Sequence, residues 1–224
     1  VTGVRWSTYA RDKAHVELLL DEVERTYPTL RVVRMRPALT FQRAAASEIA
    51  RLFIGPLAPL GLLGFRRFPV VPGGPRLRVQ GVHADDVADA YVRAALADVR
   101  GAFNLAAEPV LDGPALARRY HGRVVPVPVP LLRAAAGATW RARLHPLEPG
   151  WIDLATGVPL LSSARAAAEL GWQPRVDALS AIDELFAGMA ERAGAPTAAL
   201  RPERAAPARV AGAVARPPGH GDPY

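Results

Sequence analysis

Apolar and polar residues follow one another along this chain in blocks that predict alternating helices and strands. In residues 9–26 the apolar side chains recur at the spacing of one helix face. Val16 and Leu20 lie on this stripe, and Tyr9 and Lys13 lie on it as well. The first predicted element is therefore a helix with a tyrosine and a lysine on its apolar side.

The residues around this helix predict its ends and a strand that follows it. Ser7 or Thr8 can cap the start of the helix, and Pro28 cannot continue it. Residues 30–37 are rich in apolar and β-branched side chains, which predicts a strand that Pro37 stops. The first predicted unit is thus a helix followed by a strand.

Later segments continue the alternation. Asp85 or Asp86 is expected to cap a helix by accepting its free amide hydrogens. Ser162 or Ser163 is expected to cap another helix, which Gly171 ends in a left-handed conformation. The pattern predicts helices over residues 45–54, 84–98, 113–120, 131–144 and 177–193, one helix within 162–174, and strands over 76–83, 101–106 and 123–129.

Strands that alternate with helices predict an α/β layer with parallel strands. Three of the strands have a strong apolar pattern, whereas a doubly wound sheet has five or more. The fold class is therefore α/β, with fewer strands than a complete doubly wound sheet needs.

Composition limits the cellular compartments and the classes of partner that we expect for this chain. The 224 residues include no cysteine, so the sequence predicts no disulfide framework and a cytoplasmic location. The net charge is +7, but the arginines are scattered and five of them fall in the last 33 residues. Residues 195–224 are rich in Ala, Pro and Arg without an apolar period, so we expect a disordered tail and no nucleic-acid partner.

The apolar segments predict neither a membrane span nor a secretory signal. The longest segment, residues 52–65, is interrupted by Pro56, Pro59 and several glycines, and we interpret it as a loop-rich cap. No basic start is followed by an apolar run with a small-residue cleavage site. The five histidines have no ligand spacing with one another or with paired carboxylates, so no metal site is predicted.

Lys13 is the single lysine of the sequence, and it lies four residues after Tyr9. On a helix, this spacing places the two side chains one above the other. A free tyrosine has a pKa of about 10, and a nearby cation favours the phenolate, so the pair could exchange a proton with a substrate hydroxyl or carbonyl. The alternative is that the two residues share a solvated helix by chance, and the spacing alone leaves this open.

Four sequence motifs follow one another along the chain, and the first of them contains Tyr9 and Lys13. Residues 9–41 read YARDKAHVELLLDEVERTYPTLRVVRMRPALTF, in which Tyr-x-x-x-Lys starts a helix and a strand ends in Arg-Pro. The segments VQGVHADDVADAYVRAAL, GAFNLA and AAAELGWQPR follow. This order resembles the NAD-dependent epimerase/dehydratase family of extended short-chain dehydrogenases/reductases, over roughly residues 5–190.

The resemblance implies a partial Rossmann-like fold with a small α/β substrate-binding portion, and NAD or NADP as cofactor. It implies that Tyr9 is the catalytic acid or base, and that Lys13 lowers the pKa of Tyr9 and holds the nicotinamide ribose. Pro37, Ala38 and Leu39 match the loop that contacts the nicotinamide end of the cofactor.

Further residues match family positions near the substrate. Phe41 and Gln42 lie where the family has an aromatic residue followed by Gly, so Gln42 departs from the pattern. His83 and Asp86 match the Val-His-x-x-Asp segment. His83 can act at the substrate or pack as an ordinary strand-end histidine. Asp86 can cap its helix or have a catalytic role.

Departures from the family pattern bear on the substrate and the cofactor. Nucleotide-sugar members carry Arg-Asp where this chain has Val79 and Gln80, and Arg78 is expected to face the other side of its strand. We therefore expect a small or apolar carbonyl or hydroxyl compound as substrate. The sequence also has no Gly-x-x-Gly-x-x-Gly motif for the pyrophosphate and no upstream Ser/Thr to orient the substrate carbonyl.

These departures predict that residues 1–194 are the C-terminal half of an epimerase/dehydratase that lacks the N-terminal strands, with hydride-transfer chemistry but impaired cofactor binding in this chain alone. One alternative is a non-catalytic remnant or accessory module that pairs with a separate N-terminal half. Another is an NAD-sensing regulator on the same fold. By the resemblance, Val16, Leu19 or Val23 on the helix of residues 9–26 can face a partner in a homodimer.

Overall fold

Helices and short strands alternate through the computed structural model, which describes residues 8–54, 60–143, 148–197 and 200–201. The helices are α1 (Thr8–Thr26), α2 (Ala46–Ile49), α3 (Ala84–Leu96), α4 (Gly113–Arg119), α5 (Val129–Arg141), α6 (Gly150–Gly157), α7 (Ala164–Leu170) and α8 (Ala178–Ala190). The strands are β1 (Val33–Pro37), β2 (Leu39–Phe41), β3 (Val70–Gly73), β4 (Arg78–His83), β5 (Gly101–Leu105), β6 (Ala107–Asp112) and β7 (Arg123–Pro126). Shorter turns of 3-10 helix cover Arg43–Ala45 and Leu60–Phe65, and a π-helical turn covers Ala50–Ile54.

The described strands form three small sheets. β1 and β5 pair in parallel, and so do β3 and β7. In the third sheet, β4 lies between β2, which is parallel to it, and β6, which is antiparallel. The predicted α/β class with parallel strands is confirmed, and β6 is the exception. β6 follows β5 after the single residue Ala106, so no crossover helix joins them, and the chain runs back along β4.

The apolar pattern predicts β1, β4, β5 and β7 but misses β2, β3 and β6. β2 has only three residues. β3 contains Pro72 and Gly73, and β6 contains Pro109, which are residues that argue against a strand when the sequence is read alone. These strands form because neighbouring strands and helices cover them, and a local pattern does not report such contacts.

α8 lies at the centre of the larger core and packs against β2, β4 and β6. Leu185 and Met189 are buried there together with the ring of Phe41. Gly81 on β4 makes room for that ring, because a Cβ at Gly81 would lie 2.5 Å from Phe41 Cε2. The end of β2 is therefore fixed in the core.

A second core lies between the β1–β5 pair and helices α3 and α7. Phe103, Leu105 and Trp172 are buried in it. Gly171 has φ +58° and ends α7, as predicted. The left-handed backbone at this position favours glycine, and it lets the chain turn so that Trp172 enters the core.

Several predicted elements differ from the structure in their bounds or internal form. The helix predicted over 45–54 is a succession of 3-10, α and π turns. The loop-rich cap predicted over 52–65 includes a 3-10 helix at Leu60–Phe65, and residues 55–59 lie outside the described residues. Most of the predicted tail, residues 202–224, also lies outside them, so the disordered tail stays a prediction.

The predicted serine caps have mixed outcomes. α1 starts at Thr8, and Ser7 lies outside the described residues. Ser163 is at the cap position of α7, but its hydroxyl bonds to the backbone of Ala106. The Ser162 hydroxyl accepts the Ala164 N–H at 3.4 Å.

Candidate functional site

α1 carries the candidate proton-transfer pair on one face. The Lys13 ammonium lies 5.7 Å from the centroid of the Tyr9 ring, within the range of a cation–π contact. Tyr9 is 47 % exposed, and Lys13 is exposed as well. The fold therefore brings the two side chains together at the surface, and their chemical roles stay predictions.

Ion pairs hold α1 against β1. Arg34 of β1 lies 3.0 Å from Glu17, 2.6 Å from Asp21 and 2.7 Å from Glu24, and Arg36 also pairs with Glu17. The hydrogen bond from Arg36 lowers the pKa of the Glu17 carboxyl below its ordinary value, although burial opposes the shift, and the charges of Arg36 and Arg34 add to it. These contacts fix the helix that carries Tyr9 relative to β1.

Two aromatic side chains from other elements lie beside the Tyr9 ring. Trp151 of α6 stacks on Tyr9, with ring centroids 5.3 Å apart and an interplanar angle of 28°. Phe53, in the π-helical turn, meets Trp151 edge-on, with centroids 5.2 Å apart and an angle of 77°. Sequence reasoning misses both residues, because they are distant from Tyr9 along the chain and no local motif links them to it.

The predicted nicotinamide loop lies where β1 ends. Pro37 is the last residue of β1, and Leu39 is the first of β2. The Ala38 N–H donates to the carbonyl of Leu105, the last residue of β5, at 2.8 Å. The loop is thus at the carboxyl ends of two parallel strands, the edge at which open α/β sheets bind ligands.

Two of the predicted substrate residues lie where β2 ends. The Phe41 side chain is buried in the core beside α8, and Gln42 is half-buried and precedes a 3-10 helix. In the β2–β4 pair, Phe41 is opposite His83. A role for Phe41 or Gln42 at a substrate stays a prediction.

His83 is buried and bonded through both ring nitrogens. Its Nδ1 accepts the Asp85 N–H at 3.2 Å, and its Nε2 lies 3.1 Å from Oε2 of Glu184 on α8. Because Nδ1 is an acceptor, the neutral ring carries its proton on Nε2 and donates it to Glu184. Glu184 Oε1 also accepts the Arg43 N–H at 3.3 Å. His83 thus caps α3 and bridges to α8, and a role for it at a substrate stays a prediction.

Asp86 serves as a buried anchor. Its Oδ2 accepts the backbone N–H groups of Arg175 and Val176 at 3.1 and 3.0 Å, and its side chain is 1 % exposed. The prediction that Asp85 or Asp86 caps α3 is wrong, because the His83 imidazole accepts the first-turn amide hydrogen. The Asp86 carboxylate faces inward and accepts hydrogen bonds from the backbone that leads into α8.

Gln80 joins β4 to the segment before α7. Its Nε2 donates to the Leu161 carbonyl at 3.1 Å, and its Oε1 accepts the Leu161 N–H at 2.6 Å. The side-chain amide is therefore engaged with the backbone of the segment before α7.

Tyr120 differs from Tyr9 in burial and in bonding. Its hydroxyl donates to Asp183 Oδ1 at 2.8 Å. Burial raises the pKa of the Tyr120 phenol far above its ordinary value, and the hydrogen bond and charge of Asp183 raise it further. Asp183 also pairs with Arg119 and lies 3.6 Å from Arg66. Tyr120 is therefore a buried structural donor to Asp183, whose two arginine partners are partly exposed.

Metal-binding clusters and membrane-spanning helices are both absent from the residues that the structure describes. Residues 8–54, 60–143, 148–197 and 200–201 contain no group of three or more His, Asp or Glu side chains that could hold a metal ion. In this same part of the chain, no helix is long and apolar enough to cross a membrane.

Comparison with known sequences gives distant relatives. No family model matches the chain. The Uncharacterized protein Rv0501 of Mycobacterium tuberculosis (strain ATCC 25618 / H37Rv) and the Uncharacterized protein Mb0513 of Mycobacterium bovis are each 29 % identical to the chain over 183 residues. The match covers 80 % of this chain and 45 % of each relative. The chain thus spans less than half the length of these curated relatives.

Two solved structures share the fold at low sequence identity. A protein named gox2253 has a TM-score of 0.53 and 20 % identity, with 85 % of this chain and 59 % of that chain covered. UDP-glucuronic acid 4-epimerase from Bacillus cereus, solved in complex with NAD, has a TM-score of 0.50 and 10 % identity, with 83 % and 53 % covered. At these identities the likeness shows the fold alone. The chain has a mixed α/β, Rossmann-like fold of the kind found in an NAD-bound epimerase.

Proposed function

We propose that this chain is the portion of an NAD(P)-dependent oxidoreductase, epimerase or dehydratase that holds the proton relay and the nicotinamide end of the cofactor. The observation that carries this proposal is the contact between Lys13 and Tyr9 on α1, at 5.7 Å, in a fold shared with an epimerase solved with NAD. The exposed Lys13 ammonium and the loop of residues 37–39 at the strand ends suit a ribose and a nicotinamide ring.

The two side chains have complementary parts in this chemistry. When bound, the nicotinamide donates or accepts the hydride. The Tyr9 hydroxyl gives a proton to the substrate oxygen or takes it away, so that charge does not accumulate on that oxygen. Lys13 would hold the ribose hydroxyls through the three donors of its ammonium, which lies beside the Tyr9 ring.

The substrate expected at this site is a small carbonyl or hydroxyl compound. Support comes from the positions at which nucleotide-sugar members carry Arg-Asp. Here Val79 is uncharged, and the Gln80 amide is occupied by the Leu161 backbone. A phosphate group would therefore lack its usual charged partner at this strand.

Titration with the two halves of the cofactor tests the proposal. Reduced nicotinamide mononucleotide should bind with a Kd of about 1 mM, or about −4 kcal/mol, because Lys13 and the loop are present. Adenosine monophosphate should not saturate. Lys13→Met should weaken the binding of the nicotinamide half about tenfold, whereas His15→Ala, on the same helix, should leave it unchanged. Equal binding of the two halves, or no effect of Lys13→Met, would contradict the proposal.

Intact NADH and NADPH test the expected impairment separately. The 224 residues contain no Gly-x-x-Gly-x-x-Gly motif, so the adenosine and pyrophosphate groups should add little affinity. We expect both dinucleotides to bind about as weakly as the nicotinamide half. Micromolar binding of either would show that another part of the chain holds the pyrophosphate.

A second candidate is an accessory module that associates through α1 with a separate N-terminal half or with a second copy of the chain. The exposed apolar side chains Val16 and Leu19 favour it, since they are 46 % and 52 % exposed. Light scattering of the purified chain would distinguish a homodimer from a monomer. A monomer that also binds no upstream segment would contradict this candidate.

A further inference from the structure

Three aromatic rings from separate elements meet beside the candidate relay. Trp151 stacks on Tyr9 at 5.3 Å, and Phe53 meets Trp151 edge-on at 5.2 Å. These are favourable geometries for aromatic pairs. Trp151 and Phe53, here called the aromatic wall, thus form an apolar surface that continues from the Tyr9 ring.

The rings remain partly open to solvent although they touch one another. Tyr9 and Phe53 are 47 % and 41 % exposed, and Trp151 is half-buried. The rings of the neighbouring core are different, since Phe103 and Trp172 are fully enclosed. A contiguous apolar surface beside a polar pair is typical of a ligand site and is unlike a packing contact in a core.

A π-helical turn, a backbone hydrogen bond and an ion pair hold the residues of the aromatic wall in place. Phe53 lies in the π-helical turn Ala50–Ile54, a rare form that is frequent at functional sites. Trp151 lies in the first turn of α6, and its backbone N–H donates to the Glu148 carbonyl at 3.1 Å. An ion pair between Arg133 of α5 and Asp153 of α6, at 3.0 Å, ties the two helices together.

The chemistry of the surface distinguishes between classes of ligand. At one end, the Tyr9 hydroxyl and the Lys13 ammonium can bind a single oxygen atom. Along the wall, the Trp151 Nε1–H is the one side-chain group of these two rings that can form a hydrogen bond. A polyhydroxylated compound would find one hydrogen-bond partner along the wall, whereas a hydrophobic body would gain from contact with both rings.

We propose that Trp151 and Phe53 are specificity residues, and that the aromatic wall selects a carbonyl or alcohol compound with one reacting oxygen and a hydrophobic face. The inference rests on the proposed function of Tyr9 and Lys13 and names the substrate class for that site. The two residues act on binding, and the proton transfer itself belongs to Tyr9.

NMR of the four tryptophan indole N–H groups of the chain tests the inference. Trp151→Phe identifies the Trp151 signal. That signal should shift saturably with 4-phenylbutan-2-one and stay unmoved by D-fructose at the same concentration. A larger shift with D-fructose would overturn the inference, because it would assign the wall to a polyhydroxylated ligand.

Binding of 4-phenylbutan-2-one to variants, followed through the ligand's own NMR signals, locates the contact. Trp151→Ala and Phe53→Ala should each weaken binding about tenfold. The control is Trp140→Ala on α5, since Trp140 is 41 % exposed and makes no ring contact with the aromatic wall in the described structure. An equal loss in the control would show non-specific hydrophobic binding and overturn the inference.

If Trp151→Ala does not fold, Trp151→Phe preserves the stacked ring and should retain binding within about twofold, whereas Trp151→Leu should lose most of it. The ketone titration also needs no cofactor. If the ketone does not bind while the nicotinamide half does, this inference alone is overturned. If the ketone binds while the nicotinamide half does not, the proposed function of Lys13 is overturned.

Discussion

The helix at the centre of the larger core and the helix that carries Tyr9 are held in place by different means. On α8, Leu185 is 3 % exposed and the Asp183 carboxylate is 4 % exposed within a cluster of donors. On α1, Leu18 and Leu19 are half-exposed, and arginines of β1 hold the helix through ion pairs. Stability is thus concentrated in the part of the molecule that lacks the candidate relay.

Buried apolar side chains and exposed ion pairs differ in the free energy that they contribute to stability. A fully buried leucine contributes about 1.5–3 kcal/mol of hydrophobic stabilisation, whereas an exposed ion pair contributes about 0–1 kcal/mol. Breaking the pairs of Arg34 would cost more than breaking exposed ones, because its side chain is largely enclosed and would keep an unpaired charge. α1 is nevertheless expected to open at a lower cost than α8, since few of its apolar side chains are covered.

One of the two largest expected effects comes from Asp183, the buried carboxylate of α8. Asp183→Ala removes the acceptor of Tyr120 and the partner of Arg119, and it leaves the buried Tyr120 hydroxyl without an acceptor, whereas Arg119 is partly exposed to water. We expect a loss of about 3 kcal/mol in the free energy of unfolding, measured by urea denaturation, because a buried donor loses a charged acceptor. Asp89→Ala, which removes a more exposed pair with Arg93, should cost less than about 0.5 kcal/mol. Similar losses in the two variants would contradict the expectation that the buried carboxylate contributes more to stability than the exposed one.

A matched pair of leucines compares the two helices directly. Leu185→Ala on α8 should lower the free energy of unfolding by about 3 kcal/mol, because it leaves a cavity in the core. Leu19→Ala on α1 should change it by less than about 0.5 kcal/mol, because that side chain is exposed. Both values come from urea denaturation. A large loss in Leu19→Ala would mean that something covers α1 in solution.

The attachment of α1 should weaken in acid. The folded-state pKa of Glu17 lies below its ordinary value of 4.5, so its contribution is present above pH 4.5 and is lost as the pH falls through the folded value. At pH 7, Glu17→Gln should cost about 1–2 kcal/mol in the attachment of α1, seen as line broadening of the α1 amide signals in NMR.

Glu22→Gln is the control on the same helix. Glu22 is exposed and pairs within α1 with Arg25, so its loss should leave the contact with β1 intact. Equal broadening of the α1 signals in the two variants would show that Glu17 has no special part in the attachment.

Local features of the sequence predict α1 and α3 within two residues of their observed ends, because an apolar period and a terminating residue act together in each. The same reasoning fails for the cap of α3, since two aspartates at a helix start suggest a cap and the His83 ring accepts the amide instead. The contacts of Asp86 with Arg175 and of Tyr9 with Trp151 join residues far apart in the chain. A single sequence contains no signal for such contacts, which depend on how the helices pack.

The single lysine of the chain allows the most direct test of the central claim, that the Tyr9–Lys13 face receives the nicotinamide end of the cofactor. Growth on lysine labelled with ¹³C at Cε gives one NMR signal, which belongs to Lys13. Reduced nicotinamide mononucleotide should shift this signal saturably, and adenosine monophosphate should not. If the nicotinamide half leaves the Lys13 signal unmoved at concentrations where it binds the protein, the claim is contradicted.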